Sequence, residues 1–290
     1  MGLFGANYTK PGPGIDKDAP QKKWIFRFIE IFARKFGKLT QLNMLAILVG
    51  IPFIAIAFIL MPIPQGVVES LALTVGESTA QATVLIFKLT AAMLIYVLWG
   101  AGPVSASYAY ISRCFTREEH AWIASDGKDK FVENFKQAII VTIIDFVMLY
   151  LLANGLYFYY TNFTQTGETM WFVVTCVLAV MAVLYTFMHF HIYQLMVTFE
   201  NTLPQLYRNA FLMALSELPM NILLTAIAAV VVYILFGVMR LLLGFTIFYI
   251  IGLSILRFPI EYTSSRAISK KILSKIEEET ESTDNSEGDE

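Results

Sequence analysis

The sequence has little charge and almost no cysteine or histidine. Asp, Glu, Lys and Arg make up 15% of its 290 residues, and hydrophobic residues make up 57%, whereas soluble proteins carry about 25% charged residues. There are 2 cysteines, and they fall in a polar connection (Cys114) and inside an apolar run (Cys176), so no disulfide framework is indicated. This composition excludes a small secreted domain and predicts a membrane protein.

Several motifs of catalysis are also absent. There is no Gly-rich loop ending in Lys-Ser or Lys-Thr, no His-Glu-x-x-His and no nucleophile elbow, which argues against an ATPase of that type, a zinc protease and an α/β-hydrolase. His189 and His191 are two residues apart and therefore lie on nearly opposite faces of a helix, which disfavours a shared metal. We expect no enzymatic activity, no cofactor, no metal and no nucleic-acid partner.

Long apolar runs are the dominant feature of the chain. A helix of about 20 apolar residues spans the hydrocarbon core of a bilayer, and six runs reach that length. They cover residues 40–61, 83–111, 137–160, 169–195, 211–235 and 241–260. The sequence therefore predicts an all-α, polytopic membrane protein with about six transmembrane helices between residues 40 and 262.

The basic residues predict the orientation of these helices. With a cytoplasmic N-terminus, 19 of the 21 Lys and Arg residues fall on the inner side, and only Lys88 and Arg240 fall toward the other face. Basic residues are retained in cytoplasmic loops, so we expect a multi-pass protein of the cell membrane with both termini in the cytoplasm.

The two ends of the chain differ from the apolar middle. Residues 1–39 form a Gly- and Pro-rich leader followed, from Lys22 to Leu39, by an amphipathic helix with one aromatic and one basic face. Such a helix lies in the membrane interface or binds a partner protein. Residues 263–290 form a cytoplasmic tail, which from residue 277 carries eight carboxylates and no basic residue and is predicted to be disordered.

Two acidic residues fall inside predicted spans. Asp145 and Glu217 each follow a basic residue by nine positions, about 13 Å along a helix. An ionised acid in the core costs about 3 kcal/mol on the insertion scale, so both should face the bundle interior. Candidate neighbours on other helices are Asn221, His189 and His191. The acids either make structural hydrogen bonds or line a polar pathway for a solute.

A short match suggests an internal repeat. Residues 135–138 (Phe-Lys-Gln-Ala) align with residues 207–210 (Tyr-Arg-Asn-Ala) at an offset of 72, and the same offset places Asp145 on Glu217. Two copies of an inner-facing helical hairpin, related by an axis along the membrane normal, would produce this pattern.

The second predicted span leads into a polar cytoplasmic hairpin, residues 113–136. Gly102 and Pro103 interrupt the span and indicate either a kinked, tightly packed helix or a substrate-facing break. In the hairpin, Thr116 and Glu119 have the spacing of a capping box, which predicts a short helix ending in a turn at Asp126-Gly127. The candidate partner-docking residues of the hairpin are Arg117, Glu118, Glu119, His120, Trp122 and Asp126.

Five motifs together resemble one family. They are Lys10-Pro-Gly-Pro-Gly-Ile-Asp-Lys-Asp-Ala-Pro20, Phe26-Arg-Phe-Ile-Glu-Ile-Phe32, Gly102-Pro103, Phe115-Thr-Arg-Glu-Glu-His120 and Phe135-Lys-Gln137. The chain up to about residue 270 is similar to the YesL-like family of bacterial membrane proteins, a domain of unknown function. That resemblance implies a bacterial inner membrane and, because members tend to be encoded beside carbohydrate ABC-transporter genes, an accessory role in sugar uptake. The resemblance identifies no active-site residues in this chain.

Three functional hypotheses follow. The first is an accessory membrane subunit or assembly factor of a carbohydrate ABC transport system, whose hairpin 113–136 docks a permease or ATPase subunit. The second is a transport pathway in its own right, lined by Asp145 and Glu217. The third is a membrane sensor or scaffold. The solute and the oligomeric state do not follow from the sequence.

Overall fold

The computed structural model describes residues 23–238 and 241–274, and every regular element in these two ranges is helical. The α-helices are α1 (Trp24–Leu60), α2 (Gln65–Val75), α3 (Glu77–Trp99), α4 (Gly102–Thr116), α5 (Ile123–Glu133), α6 (Phe135–Thr166), α7 (Thr169–Met196), α8 (Leu203–Ser216), α9 (Leu218–Val232), α10 (Leu241–Ile247) and α11 (Leu253–Ile268). Single π-helical segments follow α9, α10 and α11 at Tyr233–Val238, Phe248–Gly252 and Ser269–Leu273. The leader before residue 23 and the acidic segment from residue 277 lie outside the described residues.

Five helices within the described ranges are long and apolar enough to cross a membrane. They are Trp24–Leu60, Glu77–Trp99, Phe135–Thr166, Thr169–Met196 and Leu218–Val238. Large apolar side chains on their outer faces stay exposed, for example Ile143 and Val180 at 59% each, as helices in contact with lipid require. The all-α, multi-pass architecture is confirmed.

The first predicted span and the amphipathic helix before it form one element. Helix α1 is 37 residues long, about 55 Å at 1.5 Å per residue, and no loop separates the segment before residue 39 from the span after it. Part of its aromatic face packs on protein, because Phe28 stacks on Phe258 of α11 at 5.9 Å and meets Tyr262 edge-on at 5.2 Å. The amphipathic segment is therefore continuous with the first span and packs partly on α11, and its placement in the membrane interface stays a prediction.

Two of the predicted spans are broken into two helices each. The run 83–111 divides at Gly100 and Ala101 into α3 and α4, and the run 211–235 divides at Glu217 into α8 and α9. In both cases the second helix begins with proline at its first turn, Pro103 in α4 and Pro219 in α9, where the missing N–H costs nothing. The Gly102-Pro103 motif indicated the first break, whereas the second was not predicted because apolar residues lie on both sides of Glu217.

Helix α4 lies at the centre of the bundle. It contacts α1, α5, α6, α7 and α11, and 11 of its 15 residues are buried. Its small residues Ala106 and Ala109 are fully buried against α6 and α7 in a cluster that includes Ala138 and Ile192. Small side chains allow such close helix approach, and α4 thereby positions the polar groups described next.

Candidate functional site

The break between α3 and α4 is closed by protein side chains. Gly100 and Gly102 have φ values of 82° and 44°, and a Cβ on Gly102 would overlap Thr142 Oγ1 and lie 2.9 Å from the Ala138 carbonyl oxygen. The free N–H groups of the break are satisfied, since Ala101 N donates to Ser105 Oγ at 2.7 Å and Gly102 N donates to Tyr193 OH at 3.2 Å. The Gly102-Pro103 motif is thus a tightly packed junction with its backbone donors bound internally.

Asp145 lies in a buried aromatic cluster between α6 and α7. The Tyr185 hydroxyl donates to Asp145 Oδ1 at 2.7 Å, and His189 Nε2 lies 2.9 Å from the same oxygen. The ring of Trp99 stacks on His189 at 5.9 Å and meets Tyr185 edge-on at 5.1 Å. Asp145 is only 4% exposed, and its Oδ2 has no hydrogen-bond partner in the described part of the chain. This oxygen can therefore accept a hydrogen bond from one more donor.

Glu217 and Asn221 lie in a different setting. Glu217 occupies the junction of α8 and α9, where its Oε1 pairs with Lys271 Nζ at 2.5 Å and its side chain is 22% exposed. Asn221 is buried and donates from Nδ2 to the Ala214 carbonyl oxygen at 3.1 Å. Of the four residues predicted as one polar site, the structure brings together Asp145 and His189 and gives the other two separate partners.

A second buried charge cluster was missed by the sequence reasoning. Arg257 Nε and Glu261 Oε1 on α11 form an ion pair at 3.0 Å, with side chains 4% and 5% exposed. Arg257 also donates to Ser105 Oγ at 2.8 Å, and Gln194 Nε2 donates to Glu261 Oε2 at 2.7 Å. The guanidinium group lies between two aromatic rings, 5.0 Å from Tyr108 and 5.7 Å from Tyr193.

The residue pattern offered a signal for this pair. Arg257 was counted among the cytoplasmic basic residues because the apolar run ends near it, but its spacing of four residues from Glu261 places both on one helix face. Charged groups inside a membrane bundle are paired with each other or with polar neighbours. The pair joins α11 to α4 and α7, and every partner named above comes from those three helices.

The hairpin 113–136 differs in its local structure from the prediction. Thr116 ends α4, the segment 117–122 has no regular structure, and α5 begins at Ile123 and runs through Asp126 and Gly127. The predicted capping box and turn are therefore wrong. Asp126 instead accepts a hydrogen bond from Trp122 N at 2.9 Å through Oδ2, and thus ties the first turn of α5 to the residue before it.

Two contacts hold the hairpin against the bundle. Ser107 Oγ of α4 donates to the Gly127 carbonyl oxygen at 2.8 Å, which fixes α5. Glu118 accepts a hydrogen bond from Arg34 at 2.5 Å and lies 3.5 Å from Arg27 Nε. The hydrogen bond from Arg34, together with the charges of Arg34 and Arg27, lowers the pKa of the Glu118 carboxyl group below its ordinary value.

The remaining docking candidates are exposed or partly exposed. Trp122 is 68% exposed and meets the His120 ring edge-on at 4.9 Å. Arg117 and Glu119 lie 4.0 Å apart, with side chains 37% and 53% exposed. The hairpin thus presents an aromatic pair with charges beside it.

Comparisons with known proteins gave no match: no family model fits the chain, and neither the curated proteins nor the solved structures contain a detectable relative. The similarity to the YesL-like family therefore stays a prediction that rests on the five motifs. The structure establishes a helical, multi-pass membrane protein.

Proposed function

We propose that this protein is an accessory integral membrane subunit that docks a cytoplasmic partner through the hairpin 113–136. The observation that carries the proposal is the exposure of Trp122, at 68%, on a hairpin that is held in place by Ser107 and Arg34. Val132 on the same hairpin is 64% exposed. Tryptophan is enriched in the energetic centres of protein interfaces, and a fixed backbone reduces the entropic cost of binding.

The partner that we propose is a permease or ATPase subunit of a carbohydrate ABC transport system. This identity rests on the resemblance to the YesL-like family alone. The hairpin suits such a partner because its exposed aromatic pair is surrounded by charges of both signs, Arg117 and Lys128 beside Glu118 and Glu119, which can fix the register of a docked helix.

We also propose that the chain crosses the bacterial inner membrane six times, with both ends in the cytoplasm. The sixth crossing would be the helical segment from Leu241 to Ile268. Two contacts support an even number of crossings: the Tyr262 hydroxyl donates to the Trp24 carbonyl oxygen at 3.2 Å, and the Arg266 guanidinium lies 5.1 Å from the Trp24 ring. The beginning of the first helix and the end of the last are thus at the same end of the bundle.

Some contacts favour the internal duplication. The aligned alanines, Ala138 and Ala210, are both fully buried in one cluster. The aligned amides, Gln137 and Asn209, both donate to Asn201, to its carbonyl oxygen at 2.7 Å and to its Oδ1 at 3.4 Å. The acids differ, because Asp145 lies within α6 whereas Glu217 lies at a helix junction. We therefore place the proposed axis near Asn201.

Co-purification from native membranes tests the docking. The tagged protein should recover a permease or ATPase subunit of a carbohydrate ABC transporter, identified by mass spectrometry. Substitution of Glu118, Glu119, His120 and Trp122 by alanine should reduce that recovery at least tenfold. Leu73→Ala, which removes a 90% exposed side chain from α2, is the control and should leave recovery unchanged. Recovery that survives the fourfold substitution would contradict the proposal.

A second candidate function is a solute pathway, which the unpaired Oδ2 of Asp145 favours. The purified protein in liposomes, tested with radiolabelled di- and trisaccharides, separates the two functions. Uptake by the protein alone that is lost in Asp145→Asn would support the pathway and count against the accessory role. Uptake no faster than in empty liposomes would count against the pathway.

A further inference from the structure

A polar cavity lies between α1, α4 and α11 at the end of the bundle that carries the hairpin. It has a volume of about 300 Å³ and is bordered by three arginines, Arg27, Arg117 and Arg266, one from each of the three helices or their ends. The hydroxyl groups of Thr116, Ser265 and Ser269 also line it. Its volume is within the range of small-molecule sites.

We propose that this cavity, which we call the arginine pocket, binds the phosphate group of a phosphomonoester. Guanidinium groups are planar, remain charged and bind phosphate oxygens bidentately. Three of them approaching from three helices match the three terminal oxygens of a phosphomonoester. The hydroxyl groups of Ser265 and Ser269 can donate hydrogen bonds without further charge, whereas Thr116 Oγ1 already donates to the Ser112 carbonyl oxygen at 2.9 Å. A monocarboxylate has two oxygens and would leave one guanidinium group without a partner.

The carboxylates that pair with two of the pocket's arginines do so at long distances. Glu118 hydrogen-bonds Arg34 at 2.5 Å and lies 3.5 Å from Arg27 Nε, so its closer partner is outside the pocket. Glu119 lies 4.0 Å from Arg117, at the outer limit of an ion pair. Among the residues that the structure describes, Glu118 and Glu119 contact Arg27 and Arg117 only at long range, so both arginines can also bind an anion.

The arginines are also held in place while staying accessible. The Arg266 guanidinium lies over the Trp24 ring at 5.1 Å, which limits its rotamers by a cation–π contact. The side chains of Arg27 and Arg117 are 47% and 37% exposed, so a ligand reaches them from solvent or from the membrane surface. A bound phosphate would connect α1 and α11 to Arg117, the first residue after α4.

Two sources can present this group, a soluble phosphate compound or the headgroup of a phosphatidic acid. The test uses the full chain in nanodiscs of phosphatidylcholine. One arm measures binding of glycerol 3-phosphate by isothermal titration calorimetry. In the other arm, phosphatidic acid is mixed into the nanodisc, and native mass spectrometry counts the phosphatidic acid molecules that the protein retains. Binding in the first arm indicates a soluble ligand, and retention in the second without competition by glycerol 3-phosphate indicates a lipid headgroup.

Substitutions in the arginine pocket show whether either binding signal comes from that pocket. Arg117→Gln and Arg266→Gln should each weaken binding of the active probe at least tenfold, and Ser265→Ala should weaken it several-fold. Arg208→Gln, which removes an exposed arginine of α8 outside the pocket, is the matched control and should bind as the unchanged protein does.

Three results would overturn the proposal. They are failure of both probes to bind, binding that is unchanged in Arg117→Gln, and a loss in Arg208→Gln as large as in the pocket variants, which would indicate only general attraction to positive charge. Because Arg117 is partly exposed and its substitution removes no buried contact, Arg117→Gln keeps the test valid should Arg266→Gln fail to fold. The outcome is independent of whether the hairpin docks a transporter.

Discussion

At the scale of single residues, the buried pair of Arg257 and Glu261 carries a large desolvation cost. Each group has left water, and each is compensated by its partner and by one polar neighbour, Ser105 for the arginine and Gln194 for the glutamate. An ion pair that is buried and fully hydrogen-bonded is close to neutral in free energy, but removal of one member leaves an uncompensated charge.

Arg257→Met should therefore lower the free energy of unfolding by about 3 to 5 kcal/mol. The double variant Arg257→Met with Glu261→Gln should recover most of that loss, because no buried charge remains. The measurement is unfolding by sodium dodecyl sulfate in mixed micelles, followed by circular dichroism. If the double variant is as unstable as the single one, the pair acts through packing and the electrostatic explanation is wrong.

At the scale of elements, the break between α3 and α4 depends on glycine. Gly102 has a positive φ and lies against α6 so closely that no Cβ fits beside Thr142. Left-handed backbone is accessible to glycine at little cost, and the absent side chain lets α4 approach α6. The junction thereby places Ser105 and Trp99 in two different clusters on either side of it.

Gly102→Ala should destabilise the protein by about 3 kcal/mol, because backbone strain and overpacking each cost about 1 to 3 kcal/mol. Gly37→Ala is the matched control. Gly37 is inside α1 with no atom within 4 Å of an added Cβ, so alanine should raise stability by about 0.5 to 1 kcal/mol through its better helix propensity. Equal effects of the two substitutions in the same unfolding assay would contradict the account.

The attachment of the hairpin should depend on pH through Glu118. Its pKa is lowered in the folded protein, so the stabilisation is present above the unfolded pKa of the carboxyl group and is lost as pH falls through the lower folded value. Hydrogen exchange in the segment 117–122 should be slower in the unchanged protein than in Glu118→Gln at neutral pH.

That difference in exchange should disappear in acid, once Glu118 is protonated. The effect should be small, below about 1 kcal/mol, because exposed ion pairs contribute little. A difference that persists unchanged below the folded pKa would show that Glu118 holds the hairpin through something other than its charge.

Particular residues show why parts of the fold were predictable from the sequence and parts were not. Long apolar runs predicted the helical, multi-pass architecture, since that architecture follows from average hydropathy. The orientation that the lysine and arginine positions indicate stays a prediction. Gly102 and Pro103 indicated an interruption of the second span, but the positive φ of Gly100 and Gly102 was not predicted because hydropathy does not report φ. The Arg257 pair was missed because Arg257 lies near the end of the run 241–260 and was therefore assigned to the cytoplasmic side.

The candidate site was predictable only in part. Asp145 was expected to face inward because a lipid-facing carboxylate is too costly, and the structure buries it beside His189. Its second partner, Tyr185, could not be chosen from the sequence, because many aromatic residues occur along α7 and only the rotation of that helix decides which one faces α6. The partner of Glu217, Lys271, could not be predicted from the sequence either, because only the fold of the C-terminal segment brings the two side chains together.

At the scale of the whole molecule, the features to which we assign function lie at one end of the bundle. The hairpin, the arginine pocket and the two ends of the described chain are all there, and Trp24 contacts both Tyr262 and Arg266. Docking requires that this end faces the cytoplasm, where the proposed partner is found, and so does binding of a soluble phosphate compound. The account as a whole therefore depends on membrane topology.

Cysteine accessibility in oriented vesicles measures that topology most directly. In a background of Cys114→Ala and Cys176→Ser, a single cysteine replaces Lys128 in the hairpin, Lys270 after α11 or Glu69 in α2, and each variant is treated with a membrane-impermeant maleimide. The account predicts that Lys128→Cys and Lys270→Cys are labelled only in inverted vesicles and Glu69→Cys only in right-side-out vesicles. Labelling of Lys128→Cys in right-side-out vesicles, or labelling of Lys128→Cys and Lys270→Cys from opposite sides, would contradict it.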